Sequence, residues 1–599
     1  MAWYDEAVFY HIYPLGLAGA PKQNDYGEPV HRLNTLLPWV DHIKEIGGSA
    51  LYIGPLFESV GHGYETTDYK KLDSRLGTNE DLTAFVAYCH EQGIKVIFDG
   101  VFNHTGRDFF AFKDIQANRE NSHYKDWYCN VNFWGNNEYN DGFSYDNWGG
   151  YNLLVKLNQK NPAVVDYICD VIRFWVSEFD VDGIRLDAAD VLDFDFMKAL
   201  RRTANEVKPD FWLMGEVIHG DYSRWVNGET LHSVTNYTLH KALYSGHNDH
   251  NYFEIAHTVR RLQNMGTLKL YNFVDNHDVE RIYTKLTNKA HFAPVHVLLY
   301  TLPGVPSIYY GSEFGIEGRK EYGSDDSLRP ALNIEDYKDS VKTNPCTALI
   351  AALGKVRQAV PALSYGSYDE LMLTNRQFAY ARDLDGTRVI VSVNNDDAPA
   401  GMHLAAGNCT AYIGALSGEK VSVQDGHINI TQPANSGEIW VPDVTDLDVK
   451  PVKVVTKTES EAKTNTEDKA ASETATDAKG NKEAEPKIES KESKDIVTAT
   501  ESADAKKNTT NTEKNISAAN EVKDSAKDAS AQAAADTPVD PETITVDWSK
   551  SPESMTVPEL QAAILAKLAG NGPVDAQMKK TVTDNIWHDS LVNWLKSFR

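Results

Sequence analysis

The segment GIRLDAAD, at residues 183–190, places an arginine two positions before an aspartate at the end of a predicted strand. Ile184 and Leu186 are typical of buried strand residues. Because side chains alternate along a strand, Arg185 and Asp187 share the opposite face. A guanidinium within about 4–6 Å lowers the pKa of a carboxyl group and favours its ionised form. The pair is therefore either a structural salt bridge or part of a reaction that uses an ionised carboxylate.

Further polar side chains stand at the ends of neighbouring apolar runs. An isolated aspartate there is commonly a helix cap, and an isolated histidine is commonly a hydrogen-bonded polar residue. Their number favours catalysis instead, since two carboxyl groups can act as nucleophile and general acid/base in glycosyl transfer. Glu216 follows the apolar run FWLMG, a half-buried position suited to an acid. The complete set is Asp99, Asn103, His104, Arg185, Asp187, Glu216, His219, Asp275, His277 and Asp278.

The elements that must position these residues are short apolar runs that alternate with amphipathic helical patterns. Eight such repeats favour an α/β fold, a (β/α)8 TIM barrel, whose active site lies at the carboxyl ends of its strands. We assign the barrel to residues 1–103 and 161–370, with a short inserted subdomain at 104–160 after strand three. The predicted strands are 8–14, 49–57, 95–102, 181–187, 211–218, 270–277 and 305–311, with a less distinct one near 231–237.

Three further segments follow the barrel. Residues 371–446 alternate in short stretches set off by Gly, Asn and Asp, which predicts a C-terminal antiparallel β-sandwich domain. Residues 447–540 are rich in Lys, Glu, Ala, Ser and Thr and cannot bury enough apolar surface to fold, so we predict a disordered linker. Residues 541–599 predict a helical module, with a capping box at Thr556–Glu559 and an apolar stripe of Leu560, Ile564, Leu565 and Leu568. We expect this module to bind a protein partner.

Composition excludes some classes of protein. The chain has 599 residues and a formal net charge of −27, which disfavours nucleic acid and anionic membranes as partners but suits a neutral substrate. Its five cysteines form no CxxC pair, which is typical of free thiols in a reducing compartment. The N-terminus has no signal-peptide pattern, and no run of about 18 apolar residues occurs, so we expect a cytoplasmic protein without a membrane span.

Four motifs resemble the signature regions of the α-amylase superfamily, glycoside hydrolase family 13. They are DGVFNH (99–104), GIRLDAAD (183–190), GEVIH (215–219) and FVDNHD (273–278), in that order along the chain. The match extends over about residues 5–445. Within the family, LVKLN (154–158) and GEVIH are most similar to the motifs of neopullulanases and cyclomaltodextrinases.

The resemblance implies a role for each matching residue. Asp187 is expected to be the nucleophile, Glu216 the general acid/base and Asp278 the third carboxylate that holds substrate hydroxyls. Arg185 is expected to orient the nucleophile. The implied substrate-binding residues are Tyr64, His104, Arg185, His219 and His277. Asn103 matches a calcium ligand of classical α-amylases, but GLAGAPKQNDYGEP (16–29) lacks the aspartate-rich calcium loop of many relatives. We therefore predict no cofactor and assign no metal ligand, and a structural calcium is left open.

Three functions are consistent with these motifs. The first is retaining hydrolysis of α-1,4 bonds in maltodextrins, through a covalent glycosyl-enzyme intermediate. The second is transglycosylation on the same scaffold, in which a sugar hydroxyl replaces water. The third is a non-catalytic glucan-binding or scaffold protein, which the presence of Asp187, Glu216 and Asp278 disfavours. Trp134, Trp148 and Tyr151 in the insertion could offer flat faces to sugar rings, or could pack in the core.

Overall fold

A computed structural model describes the barrel, the insertion and the C-terminal β domain. The described residues are 2–266, 268–321, 324–444, 546, 550–551, 555–569, 579, 582 and 595. The predicted linker, 447–540, lies outside them. The chain divides into two compact units, Met1–Lys487 and Ile488–Arg599, which are described separately below.

Eight parallel strands form the predicted barrel and confirm the fold class. In chain order they are β1 (Phe9–Ile12), β2 (Ala50–Ile53), β3 (Lys95–Gly100), β4 (Gly183–Leu186), β5 (Trp212–Gly215), β6 (Ser233–Val234), β7 (Tyr271–Asn272) and β8 (Val305–Tyr309). The hydrogen-bonded order runs from β6 back through β1 to β8 and β7. A parallel bridge between Thr235 and Tyr271 then links the two ends, so the sheet closes on itself.

Helices cover the outside of this barrel. They are α1 (Leu37–Glu45), α2 (Asn79–Glu91), α3 (Pro162–Phe179), α4 (Phe194–Val207), α5 (Tyr237–Asn248), α6 (Tyr252–Asn264), α7 (Phe292–Thr301) and α8 (Pro345–Ala359). Further helices are Pro14–Leu17, Phe110–Asn118, Ile282–Lys285, Ser340–Thr343 and Ala362–Tyr365. Between β5 and β6 the chain forms a 3-10 turn, Tyr222–Arg224, in place of the α-helix of a regular repeat.

The boundaries of α3 show how the sequence defines these helices. The side chain of Asn161 accepts a hydrogen bond from the backbone N–H of Ala163, and Pro162 occupies the first turn, where its missing N–H costs nothing. The helix ends where Asp180 adopts a left-handed conformation, with φ of 54°. The chain then enters β4, the strand that carries Arg185.

Two additions to the barrel border the carboxyl ends of its strands. After β2, an antiparallel hairpin of Phe57–Ser59 and Thr66–Leu72 carries Tyr64 in its connecting loop. After β3, the insertion forms a small sheet of His104–Thr105, Asn147–Trp148 and Tyr151–Lys156. His104 pairs directly with Lys156, so the insertion is joined to the rim beside the predicted site.

Residues 367–442 form the predicted C-terminal antiparallel domain. Its strands are β9 (Ser367–Leu373), β10 (Gln377–Leu384), β11 (Thr387–Asn394), β12 (Ala400–Ala405), β13 (Ala411–Gly414), β14 (Lys420–Ser422), β15 (His427–Gln432) and β16 (Ser436–Pro442). One sheet has the order β9-β10-β11-β16-β13-β14, and β12 pairs with β15. Buried side chains from both sheets, including Ile390, Leu404, Ile428 and Trp440, form a shared core.

In the second unit, one helix spans Val557–Ala569. The carboxylate of Glu559 accepts hydrogen bonds from the backbone N–H of Thr556 at 2.7 Å and from its hydroxyl at 3.0 Å, which confirms the predicted N-terminus. Leu560, Ile564 and Leu565 are buried, whereas the side chain of Leu568 lies outside the described residues. Across the described part of the chain, no helix combines the length and apolarity needed to span a bilayer.

Candidate active site

Arg185 stands at the centre of a buried cluster of three carboxyl groups. The register of β3 and β4 places Asp99 directly beside Arg185, and Nη1 of Arg185 lies 2.9 Å from Oδ1 of Asp99. The same nitrogen lies 2.9 Å from Oδ1 of Asp187, and Nη2 lies 2.9 Å from Oε2 of Glu216. Arg185 and Asp187 therefore form a salt bridge. The same guanidinium also contacts Glu216, so it joins the two carboxyl groups that we expect to react.

The charge balance of this cluster differs from the sequence expectation. Burial raises the pKa of Asp187 well above its ordinary value, Arg185 opposes this, and the neighbouring Glu216 and Asp99 raise the pKa further. Burial also raises the pKa of Asp99. The prediction that Arg185 lowers the pKa of Asp187 is thus wrong for the net shift, because one guanidinium serves three carboxyl groups. Burial and the neighbouring carboxyl groups thus oppose ionisation of Asp187, and the single cation of Arg185 favours it.

The hydrogen-bonding pattern of Asp187 leaves part of its carboxylate open. The hydrogen bond from Arg185 goes to Oδ1, and the side chain keeps 11% exposure. Asp182, in the same segment, lies at the start of the strand and contacts His90, Lys95 and Lys208 instead. Asp190 is exposed on the following loop. Of these three aspartates, Asp187 alone faces the cluster.

Glu216 is held by groups from three parts of the barrel. Its Oε2 contacts Arg185 and accepts a hydrogen bond from the backbone N–H of Ala188 at 3.1 Å. Ala188 has φ of 46°, a left-handed conformation that costs a residue with Cβ roughly 1–2 kcal/mol. The strained turn directly after Asp187 therefore directs a backbone donor at Glu216. The other oxygen, Oε1, accepts a hydrogen bond from the hydroxyl of Tyr237 at 3.3 Å.

Asp278 lies on the loop after β7, where it contacts His277 and Arg329. Its Oδ1 accepts a hydrogen bond from Nη2 of Arg329 at 2.9 Å, and its Oδ2 lies 3.2 Å from Nε2 of His277. Burial raises the pKa of Asp278, but His277 and the charges of Arg329 and Arg185 outweigh burial and hold the pKa well below its ordinary value. Asp278 is therefore ionised across the neutral range.

Two of the predicted histidines, His104 and His277, are buried, and His277 lies beside Asp278. Burial lowers the pKa of His277 and of His104 to about 3, so both rings are neutral near pH 7. The ring of Tyr64 lies parallel to that of His277, with centroids 5.7 Å apart, and its hydroxyl contacts both His277 and Asp99. In His104, Nε2 contacts the carbonyl oxygen of Tyr64 and Nδ1 contacts Asn103. Its expected contact with a sugar hydroxyl stays a prediction.

The remaining predicted residues lie apart from the cluster. His219 is exposed on the loop after β5, and the structure does not bring its ring into hydrogen-bonding contact with the carboxyl groups. In the insertion, Trp134 is 98% exposed and Tyr151 is 56% exposed, so neither is a core residue. Trp148 pairs with Tyr151 at the end of the insertion sheet.

Comparison with known proteins identifies the family. Residues 32–355 match the family model described as alpha amylase, catalytic domain. The chain belongs to the α-amylase family. The predicted family resemblance is thereby confirmed, and this α-amylase family member is a glycoside hydrolase, as are its named relatives.

Relatives of this α-amylase family member share most of its length. It is 31% identical over 422 residues to a cyclomaltodextrinase of a Bacillus species, covering 66% of this chain and 74% of the relative. It is 29% identical over 473 residues to neopullulanase 2 of Thermoactinomyces vulgaris, covering 73% and 78%. A solved cyclomaltodextrinase matches with a TM-score of 0.66 at 27% identity, covering 73% of this chain and 78% of the other.

The structure adds site residues that the sequence analysis did not select. Tyr237 contacts Glu216, Arg329 contacts Asp278, and Tyr52 donates a hydrogen bond to Asp99 at 2.7 Å. Tyr237 ends the predicted run LHSVTNY, so the rule that barrel strands present functional residues at their carboxyl ends could have found it. Arg329 lies far along the loop after β8, and no local pattern marks it.

Asn103 is the one sequence match to a calcium ligand. Its Oδ1 is buried and has no hydrogen-bond partner among the described residues. Calcium takes six to eight oxygen ligands, however. The described residues contain no group of three or more His, Cys, Asp or Glu side chains arranged to hold a metal ion. No such cluster therefore supports a metal at Asn103, and the absence of a metal stays a prediction.

Proposed function

We propose that this glycoside hydrolase cleaves α-1,4 bonds of maltodextrins by double displacement, with retention of the anomeric configuration. The observation that carries the proposal is the position of Arg185, which contacts both Asp187 and Glu216 at 2.9 Å. A retaining glycosidase needs its two carboxyl groups roughly 5–5.5 Å apart, whereas an inverting enzyme leaves room for a water. A single guanidinium that contacts both carboxyl groups favours the shorter separation.

In the first step, Glu216 acts as the general acid and gives its proton to the glycosidic oxygen. Oδ2 of Asp187, which accepts no hydrogen bond among the described residues, attacks the anomeric carbon as the bond to the leaving sugar breaks. Loss of the proton from Glu216 places negative charge on both reacting carboxyl groups, which Arg185 contacts, until Asp187 becomes an ester. Arg185 therefore stabilises the charge that develops during the step.

In the second step, the glycosyl ester on Asp187 is hydrolysed. Glu216, now a carboxylate, removes a proton from water, and the water oxygen bonds to the anomeric carbon as the ester bond breaks. Asp278 stays anionic beside Arg329 and accepts hydrogen bonds from sugar hydroxyls. His277 is neutral, so it adds a hydrogen-bonding group without adding charge.

The names of relatives support the substrate class and a location inside the cell. Besides the cyclomaltodextrinase, they include a maltogenic alpha-amylase of Bacillus acidopullulyticus, 32% identical over 343 residues. They also include an intracellular maltogenic amylase of Bacillus subtilis, 28% identical over 418 residues. We infer that this chain likewise acts on maltodextrins in the cytoplasm.

The experiment that tests the proposal follows the products of maltotriose by NMR and chromatography. The α-anomer should appear first and the mixture should then equilibrate, because double displacement inverts the anomeric centre twice. A first product in the β-configuration would refute the retaining mechanism. Early oligomers longer than maltotriose would show that sugars, rather than water, capture the intermediate. Starch, pullulan and cyclodextrin in parallel assays define the preferred bond and chain shape.

A further inference from the structure

A chain of hydrogen bonds connects the backbone of Asp278 to the carboxyl group of Glu216. The backbone N–H of Asp278 donates to Oδ1 of Asn276 at 2.8 Å, and Nδ2 of Asn276 donates to the hydroxyl oxygen of Tyr237 at 3.1 Å. Tyr237 then donates to Oε1 of Glu216 at 3.3 Å. These bonds run from the loop after β7 to the first residue of α5 and then to the residue that follows β5.

The direction of these bonds is determined by donor and acceptor chemistry. Oδ1 of Asn276 accepts from two backbone N–H groups, those of Asp278 and Val279 at 2.8 and 3.1 Å. The amide must therefore present its NH2 group to Tyr237. Because the hydroxyl of Tyr237 accepts that bond and has one proton, it can give this proton to Glu216. The backbone of the Asp278 loop thus fixes the orientation of a hydroxyl near the acid/base.

Tyr237 itself is rigidly placed. Its side chain is 8% exposed, and its ring packs edge-on against Phe273 with centroids 4.9 Å apart. Burial and the nearby carboxylates of Glu216 and Asp278 raise the pKa of Tyr237 well above its ordinary value. The phenol therefore stays protonated and acts as a donor throughout the neutral range.

We propose that Tyr237 is a positioning residue that aims the acidic proton of Glu216 at the glycosidic oxygen. Two donors, Arg185 and the Ala188 N–H, occupy Oε2 of Glu216, and Tyr237 occupies one acceptor site of Oε1. The proton of the neutral carboxyl group must then take the remaining site on Oε1. This inference rests on the proposed general-acid role of Glu216 and specifies how its proton is directed.

The bond changes during the reaction explain why the direction of the Glu216 proton matters. As the proton leaves Oε1 for the glycosidic oxygen, the carbon–oxygen bond breaks and negative charge develops on Glu216. The hydrogen bond from Tyr237 strengthens at that moment, because bonds to charged acceptors are shorter and stronger than bonds to neutral ones. The distance of 3.3 Å suits such a role, since catalytic hydrogen bonds are often long in unliganded enzymes and tighten in the transition state.

The test compares two substrates in Tyr237→Phe. Maltotriose has a leaving group that needs protonation, whereas α-maltosyl fluoride has a leaving group that departs with little acid assistance. For both substrates kcat/KM reports the steps up to the glycosyl-enzyme. We expect kcat/KM to fall about 10–100-fold for maltotriose, within the range of general-acid contributions, and to change less than about threefold for the fluoride. Activity on the fluoride also shows that the variant is folded.

A pH profile separates this role from a merely structural one. Removal of a donor to the carboxylate form should move the alkaline limb of kcat/KM for maltotriose to higher pH, by about half to one unit for a hydrogen bond of roughly 1 kcal/mol. Tyr271→Phe is the matched control, since its hydroxyl bonds to Ser307 at 2.6 Å and removal of it should leave the limb in place.

Each outcome is decisive. Equal losses on the two substrates, or an unchanged alkaline limb, would overturn the inference and make Tyr237 a structural residue. Unchanged kcat/KM for maltotriose would overturn it too. A wild-type enzyme with no activity on either substrate would instead refute the proposed function, so the two failures are distinguishable.

Discussion

Nη2 of Arg185 lies 2.9 Å from Oε2 of Glu216, on a different strand of the barrel. The contact places the expected acid/base on the same guanidinium as the expected nucleophile, Asp187. The positive charge of Arg185 therefore stabilises negative charge in both steps of a double displacement. It does so first as Glu216 loses its proton and then as Asp187 is released from the ester. Four predictions follow from this arrangement and from the rest of the fold.

Asp187→Asn should abolish most of the activity. The amide cannot form the glycosyl ester, so kcat for maltotriose should fall on the order of 10³-fold or more, as for other enzymes that lose a nucleophile. Steady-state kinetics measure the loss. Full activity of this variant would contradict the assigned mechanism.

Asp182→Asn is the matched control for that variant. Asp182 is in the same segment but contacts Lys95 and Lys208, both at 2.9 Å, at the opposite end of the strand. We expect its kcat to stay near the wild-type value. Its free energy of unfolding should decrease by roughly 1–3 kcal/mol, because a buried charged hydrogen-bonding group is lost. A large loss of kcat would show that distortion of β4, rather than chemistry, explains the effect of Asp187→Asn.

Arg185→Lys should impair turnover although it conserves the charge. An ammonium group is a point charge without the planar fork that contacts Asp99, Asp187 and Glu216 together. We expect kcat to fall by roughly 10²-fold, because a displacement of catalytic groups by about an ångström has an effect of that size. A lysine variant with wild-type kcat would show that charge alone suffices and that the geometry of the fork is dispensable.

His296 should make the barrel sensitive to acid. Its side chain is fully buried on α7, its Nδ1 lies 2.7 Å from the carbonyl oxygen of Phe292, and burial lowers its pKa to about 4. Below the unfolded pKa of about 6.5 the unfolded chain binds a proton that the folded chain does not. Its contribution to stability is therefore unchanged above pH 6.5 and is progressively lost as the pH falls from 6.5 toward 4.

His296→Leu should reduce this sensitivity. Between pH 7 and pH 5 the loss in the free energy of unfolding should be smaller in the variant by about 2 kcal/mol, measured by urea denaturation at both pH values. The exposed His257 provides the control, since His257→Leu should leave the difference between the two pH values unchanged. Identical pH dependence in His296→Leu and the wild type would contradict the prediction.

Deletion of residues 447–599 should preserve turnover of soluble maltotriose. All the side chains placed here in the candidate site lie between Tyr52 and Arg329, and the described part of the second unit has its own apolar cluster around Leu560 and Ile564. We propose that this unit binds a protein partner. Kinetics of the truncated and full-length chains measure the difference. A marked loss of kcat on deletion would mean that the second unit supports the site directly.

Local sequence was sufficient for the main elements and for the selection of the carboxyl groups that we expect to react. Alternation along β4 placed Arg185 and Asp187 on one face, and the motifs around Glu216 and Asp278 indicated the family. Asn161, Pro162 and Thr556 marked helix starts because capping depends on a few adjacent residues. Even the weak sixth strand, near 231–237, was predicted where the structure has β6, Ser233–Val234.

Tertiary structure decided the contacts between elements. The register of β3 beside β4 placed Asp99 against Arg185, and the left-handed turn at Ala188 directed its N–H at Glu216. Tyr237, at the start of α5, and Arg329, on the loop after β8, joined the site from distant parts of the chain, whereas His219 was left exposed. The net pKa of Asp187 could not be predicted from its neighbour in sequence, because burial and two carboxyl groups from other strands outweigh one nearby arginine. Burial and through-space charge depend on residues far apart in the chain, and only the closed barrel brings them together.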